Sequence, residues 1–220
     1  SSIASKAEGA ATTTDTRERW LLPIFQELNY GRVPVAPAIK IENKTYAISH
    51  RWESVPIHLV GSHVDLDTRT ERVAGAATGS PHSLLQRSLN RRSELLWGMV
   101  SNGLTLRLLR DNVALTRQAF LEFDLKAMFD GDLYSDFFLF WILCHQSRFE
   151  GLRPESLWIE QWKKAAEDKG LRALENLRPG VEKAIALLGE GLIAHPANSV
   201  LRDKLGNGQL DKQDFYKHIL

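Results

Sequence analysis

Residues 95–109, LLWGMVSNGLTLRLL, leave the chain little conformational choice. Two apolar runs meet at Ser101-Asn102-Gly103. An Asn-Gly pair flanked by such runs is a strong local signal for an antiparallel hairpin, because both residues tolerate the positive φ of a tight turn. Leu104, Leu106 and Leu108 then point to one face, and Thr105 and Arg107 to the other. A hairpin this apolar needs a larger sheet and a covering layer, so the chain must build a layered domain around it.

The flanking segments supply those layers. Residues 1–16, SSIASKAEGAATTTDT, are small and polar and read as a flexible leader. In TRERWLLPIFQELNYGRV, Trp20, Leu21, Ile24 and Leu28 lie at helical spacing, with Pro23 tolerated in a first turn and Gly31 as the stop. AIKIENKTYAISH alternates around Glu42-Asn43-Lys44 and predicts a second hairpin. VPIHLVGSHVDLD alternates again and predicts a strand bulged at Gly61. VAGAATG is a small-residue loop. Ser80-Pro81 opens a helix as N-cap and first helical residue, with Leu85, Leu89 and Leu96 as its buried stripe and Arg87, Arg91 and Arg92 largely off it. AFLEFDL adds a strand after the hairpin. Residues 17–123 thus predict an α/β or α+β domain with a mixed sheet.

From residue 124 the pattern becomes helical to residue 220. SDFFLFWILCHQSRF is apolar nearly all round and predicts a helix buried in protein. Three further helical stretches follow, with breaks expected at Gly170, Pro179-Gly180 and Pro196, where His195 is a helix-boundary residue. Asp211 and Asp214 start a last helix. The Trp158/Trp162 pair, four apart on a helix, reads as core. Both ends look cut, which suggests a piece of a larger protein.

Lys plus Arg is 28 and Asp plus Glu is 27, so global charge gives no reason to invoke nucleic acid or membrane. The distribution is informative instead. From Arg69 to Arg117 there are eight arginines and three acids; from Gln118 to Glu160 there are eight acids and three basic residues. Guanidinium suits bidentate contacts to phosphate or carboxylate. Two readings stay open: the arginines contact nucleic acid, or they pair with the acidic segment across an internal interface.

The single cysteine, Cys144, excludes an intrachain disulfide and reads as a small buried hydrophobe. No secretory signal is visible, and the longest apolar run, Phe137 to Cys144, falls far short of the ~20 residues of a membrane span. A cytoplasmic chain is expected. The sequence holds no glycine-rich phosphate loop, Gly-x-Ser-x-Gly, His-Glu-x-x-His, Cys-x-x-Cys or Asn-Pro-Pro-Tyr. Phosphoryl transfer, serine hydrolysis, zinc chemistry and methyl transfer within this chain are therefore unsupported. The densest polar cluster is HLVGSHVDLD. Strand alternation would place Asp65 and Asp67 on one face near His58 and His63, as two metal-binding carboxylates require. No lysine or third carboxylate joins them at fixed spacing. A polar strand end facing water is the preferred reading, with no metal assigned.

FQELNYGR, LLQRSLNR, LWGMVSNGLTLRLLRD, LEFDLKAMFDGDLYSDFFLFWILCHQSRFE and GLIAHPAN, in that order, resemble the N-terminal part of large type IIG-like restriction–modification adenine methyltransferases, relatives of which serve in phage defence. The resemblance spans about residues 17–220. It implies a restriction-endonuclease-like mixed sheet with flanking helices, followed by an α-helical connector and then an S-adenosylmethionine-dependent methyltransferase beyond this chain. It also places the 95–109 hairpin at the far side of the sheet. An active nuclease of that class binds Mg²⁺ through an Asp on one strand and Glu-x-Lys on the next. Here the corresponding segment offers Asp65-Leu66-Asp67 without lysine, and Glu53 upstream. The expectation is a non-catalytic module that contacts the double-stranded DNA backbone through Arg87, Arg91, Arg92, Arg107 and Arg110, or that positions the downstream methyltransferase or other defence proteins. The alternatives are a divergent nuclease using Asp65, Asp67 and Glu53, and a pure interaction scaffold.

Overall fold

In the computed structural model the first helix starts earlier than its apolar spacing predicts and widens before it meets Pro23. It comprises α1 (Ala10–Thr16), a π-helical turn (Arg17–Leu21) and α2 (Leu22–Glu27). Pro23 has no N–H for the i→i−4 ladder and its ring crowds the preceding turn. The i→i−5 bond from the Leu22 N–H to the Arg17 carbonyl opens the helix just ahead of it. Residues 10–16 are therefore helical, not a flexible leader. The structure describes residues 10–37, 39–41, 44–46, 48–111, 119–151 and 153–217. The chain divides into two units, Ser1–Glu160 and Gln161–Leu220.

In the first unit a small hairpin, β1 (Ile39–Ile41) with β2 (Lys44–Tyr46), forms where predicted; its turn residues lie outside the described set. The main sheet has five strands in the order β3 (His50–Trp52), β4 (Val55–Leu59), β5 (Trp97–Ser101), β6 (Thr105–Arg110) and β7 (Phe120–Asp124). All neighbours run antiparallel except β4 and β5, which are parallel and joined through α3 (Pro81–Asn90). The sheet is mixed, as expected. The 95–109 hairpin supplies its third and fourth strands rather than its far side. A central strand needs cover on both faces, and every residue of β5 is buried.

Each face has its own cover. On one, Leu84, Leu85 and Leu89 of α3 pack with Val60, Val64, Leu66, Ala76, Val100 and Leu109. Gly98 permits that approach: a Cβ there would stand 3.1 Å from both the Leu85 Cδ1 and the Pro56 carbonyl oxygen. Ser80 caps α3 as predicted, accepting from the Ser83 N–H at 3.3 Å, but the helix ends at Asn90, so Leu96 belongs to the chain leading into β5. On the other face Phe123 meets Phe140 of α5 (Tyr134–Cys144), ring centroids 5.3 Å apart. Both α4 (Leu125–Asp130) and α5 fall within the first unit, so the division comes at Glu160 and not at residue 124. Only Phe140 and Cys144 of α5 are buried, while Tyr134 is 75% exposed. The expected all-round burial of this helix is corrected: one apolar stripe suffices to pack it, and the remaining rings face outward.

The second unit is helical. Helix α6 runs unbroken from Trp158 to Ala194, through Gly170, Pro179 and Gly180, where breaks were expected. An Arg178–Glu182 pair (3.0 Å) spans the proline. Trp158 is 52% exposed, which corrects its reading as core. Pro196 does end the helix, with the His195 Nδ1 accepting from the Ala197 N–H. Helices α7 (Ser199–Gly206) and α8 (Lys212–Lys217) follow, the latter capped by Asp211. Among the described residues no single helix is long and apolar enough to cross a membrane.

The turn at Asn102-Gly103 holds more than its hairpin. The Asn102 Oδ1 accepts from the Leu104 and Thr105 N–H groups, both at 3.0 Å, and its Nδ2 donates to the Val64 carbonyl at 2.9 Å. Gly103, at φ +85°, accepts at its carbonyl from the Trp20 indole at 2.8 Å. Asn102→Ala strands the buried Val64 carbonyl and two turn amides. It is expected to lower stability by about 2–3 kcal/mol in urea unfolding.

Candidate functional site

The acids that the nuclease alternative would need, Asp65, Asp67 and Glu53, are dispersed and committed elsewhere. β4 stops at Leu59, and the chain turns at Gly61, where the Val64 N–H donates to the Gly61 carbonyl. Asp65 and Asp67 therefore lie in a loop and not on one face of a strand, and Gly61 is a turn and not a bulge. The Asp65 Oδ1 accepts from the Asp67 and Thr68 N–H groups at 2.6 and 3.0 Å, which makes it a loop cap. Glu53 sits exposed in the turn before β4, at φ +47°, while the aspartates follow its other end. His58 is fully buried and His63 is exposed. Among the described residues no three His, Cys, Asp or Glu side chains gather to hold a metal ion. These residues do not fit a divalent cation.

Asp67 instead binds Arg107. The guanidinium donates from Nη1 and Nη2 to the two Asp67 oxygens at 2.6 and 2.8 Å and from Nε to Glu122 at 2.5 Å. Its carbon lies 4.4 Å from the centre of the Phe120 ring. Register explains the arrangement: Arg107 of β6 is paired directly with Glu122 of β7, and both face the α3 side of the sheet. Arg107 is only 8% exposed. The hydrogen bond from Arg107 holds the Asp67 carboxyl below its usual range, and the two carboxylates push the Arg107 pKa up.

Arg110 is committed in the same way. Its Nε and Nη2 donate to the two oxygens of Glu160 at 2.7 and 3.0 Å, and the Trp97 indole donates to the same carboxylate at 2.8 Å. Of the five arginines predicted to meet phosphate, the other three lie in the last turn of α3 and just beyond it. Arg87 donates to the Ser83 hydroxyl at 3.2 Å, Arg91 is exposed, and Arg92 pairs with Glu94 at 3.3 Å. Cys144 is fully buried and burial pushes its thiol up, as a structural residue requires.

The sequence did not single out the groove beside the first helix. A cavity of about 960 Å³ lies between the α1–α2 region and residues 31–36, lined by Arg17, Glu18, Arg32 and His50 and walled by Leu22, Val33 and Pro34. Arg17 leaves the π-helical turn, and its Nε and Nη2 both donate to the Leu59 carbonyl at 2.8 and 2.5 Å. Behind the lining, the His58 Nδ1 accepts from the Ser49 N–H and its Nε2 donates to the Gly75 carbonyl. Burial, with Arg17 adding its charge, pushes both His50 and His58 down to about 4. No motif marks these positions, because the groove is assembled from four separate stretches, within residues 14–26, 31–36, 48–50 and 74–75.

The histidines give a pH dependence of definite sign. Their folded values lie below the ordinary value near 6.5, so the unfolded chain takes up protons first as pH falls. Their contribution is complete above pH 6.5 and is lost between there and pH 4, reaching about 2 kcal/mol per ring at pH 5. Urea midpoints at pH 7 and pH 5 should differ accordingly, and His50→Gln should reduce the difference. Separately, Arg107→Gln should cost about 2 kcal/mol at neutral pH, the carboxylates being half in water and so only partly stranded.

Compared with models of protein families, with curated proteins and with solved structures, the chain finds no match.

Proposed function

We propose that the chain is a non-catalytic module of a DNA methyltransferase of the restriction or phage-defence type, built on a restriction-endonuclease-like sheet. It holds duplex DNA by its backbone and positions the methyltransferase domain that follows it. One observation carries the non-catalytic part: both oxygens of Asp67, the best-placed acid for a nuclease metal, are bound to Arg107. The missing lysine removes the cation that would stabilise developing negative charge. The element order supports the architecture, with a helix, an antiparallel strand pair, a helix leading to a parallel strand, and a hairpin. S-adenosylmethionine would belong to that methyltransferase domain.

Arg87, Arg91 and Arg92 are the proposed phosphate contacts. Arg107 and Arg110 are left out, because their guanidinium groups already hold Asp67, Glu122 and Glu160. Two of those pairs, Arg107–Glu122 and Arg110–Glu160, join the arginine-rich segment to the acid-rich one and so favour a second reading, a scaffold that recruits other defence proteins without touching DNA.

The two readings separate in a salt series. Fluorescence anisotropy of a labelled duplex should show binding that weakens with a log–log slope of about −2 to −3, as three phosphate contacts predict. Arg91→Glu combined with Arg92→Glu should weaken binding about tenfold or more. Absence of binding at low salt would leave the scaffold.

A further inference from the structure

Among the described residues, the sheltered guanidinium groups of Arg107 and Arg17 differ in their situation. Arg107 is neutralised by two carboxylates. Among the described residues Arg17 has no carboxylate partner; its recorded contacts are to one backbone carbonyl, that of Leu59. Burial accordingly lowers its pKa with nothing to oppose it, the reverse of Arg107. A desolvated charge without a counter-charge is unfavourable unless something supplies one. Arg17 opens onto the groove between the first helix and residues 31–36, whose other charged lining groups are Arg32 and the exposed Glu18. The neutral His50 adds a polar group at the same wall.

We propose that this groove binds a phosphate monoester of mononucleotide size. Its dianion would sit against Arg17 and Arg32, and its organic body against Leu22, Val33 and Pro34. Charge favours a dianion over a single carboxylate, since two arginines line the cavity against one glutamate. Size suits an organic ligand, because about 960 Å³ is at the upper end of small-molecule sites. The inference does not depend on the DNA reading, which rests on a different part of the first unit.

The test is thermal-shift and calorimetric titration of the whole chain with adenosine monophosphate, inorganic phosphate and adenosine. The monophosphate should raise the melting temperature and bind at least about tenfold tighter than either fragment. Arg32→Glu, at an exposed residue, should weaken it by about tenfold without altering the melting temperature of the free chain. Arg17→Met should abolish binding; should that variant fail to fold, Arg32→Glu decides alone. Arg91→Glu should leave binding unchanged. The proposal is overturned if adenosine binds as well as its monophosphate, if Arg32→Glu has no effect, or if nothing binds at about 10 mM. It is also overturned if the monophosphate displaces a duplex whose own binding needs Arg32, because the groove would then be part of a nucleic-acid surface.

Discussion

The Arg107 guanidinium sets the terms for the sheet around it. It lies on the α3 face, between strands whose neighbouring positions are filled by Val100 and Leu109. A charge in such surroundings costs several kcal/mol unless it is paired with good geometry. Its two partners come from opposite sides in sequence, Asp67 forty residues earlier and Glu122 fifteen later. Glu122 reaches it only because β7 pairs with β6 in one register; a slip of one residue would carry Glu122 to the other face and bring an apolar neighbour opposite Arg107. Asp67 reaches it only if the chain after β4 leaves the sheet at Gly61 and folds back. One buried cation thus specifies an edge-strand register and a loop path.

That dependence explains what the sequence could reveal. Local chemistry was legible where it acts within a few residues: the Asn102-Gly103 turn, the Ser80-Pro81 helix start, the Asp211 cap. The alternation through VPIHLVGSHVDLD misled because Val60, Val64 and Leu66 are buried as a strand's inner residues would be, yet they are buried by a loop. What ends the strand is non-local, namely the Asn102 amide on the Val64 carbonyl and the Arg107 pair on Asp67. The apolar run of α5 misled in the opposite direction. Hydrophobicity all round permits burial but does not compel it, and here the sheet offers a surface for only one side.

The charge segregation was visible from the start, and both of its readings were physically sound. Geometry apportions them residue by residue. Arg107 and Arg110 lie in or at the end of β6, which faces helices and a second strand, so internal carboxylates reach them first. Arg87 lies on α3 away from the leucine stripe that fixes the helix, and Arg91 and Arg92 follow at its end. A sequence count cannot make this division, because it depends on which flank of an element is covered.

Arg17 shows the remaining option for a sheltered cation. Its carbonyl partner supplies a dipole where Arg107 has charges, and the two imidazoles near it stay neutral because a second and third positive charge would meet the same low dielectric. A carboxylate placed there by the fold would have removed that strain and raised both imidazoles. None is supplied among the described residues, although Glu18 lines the same groove and is exposed. The first unit therefore answers the same electrostatic problem twice, once by closing the charge inside the protein and once by leaving it open to whatever enters from solvent.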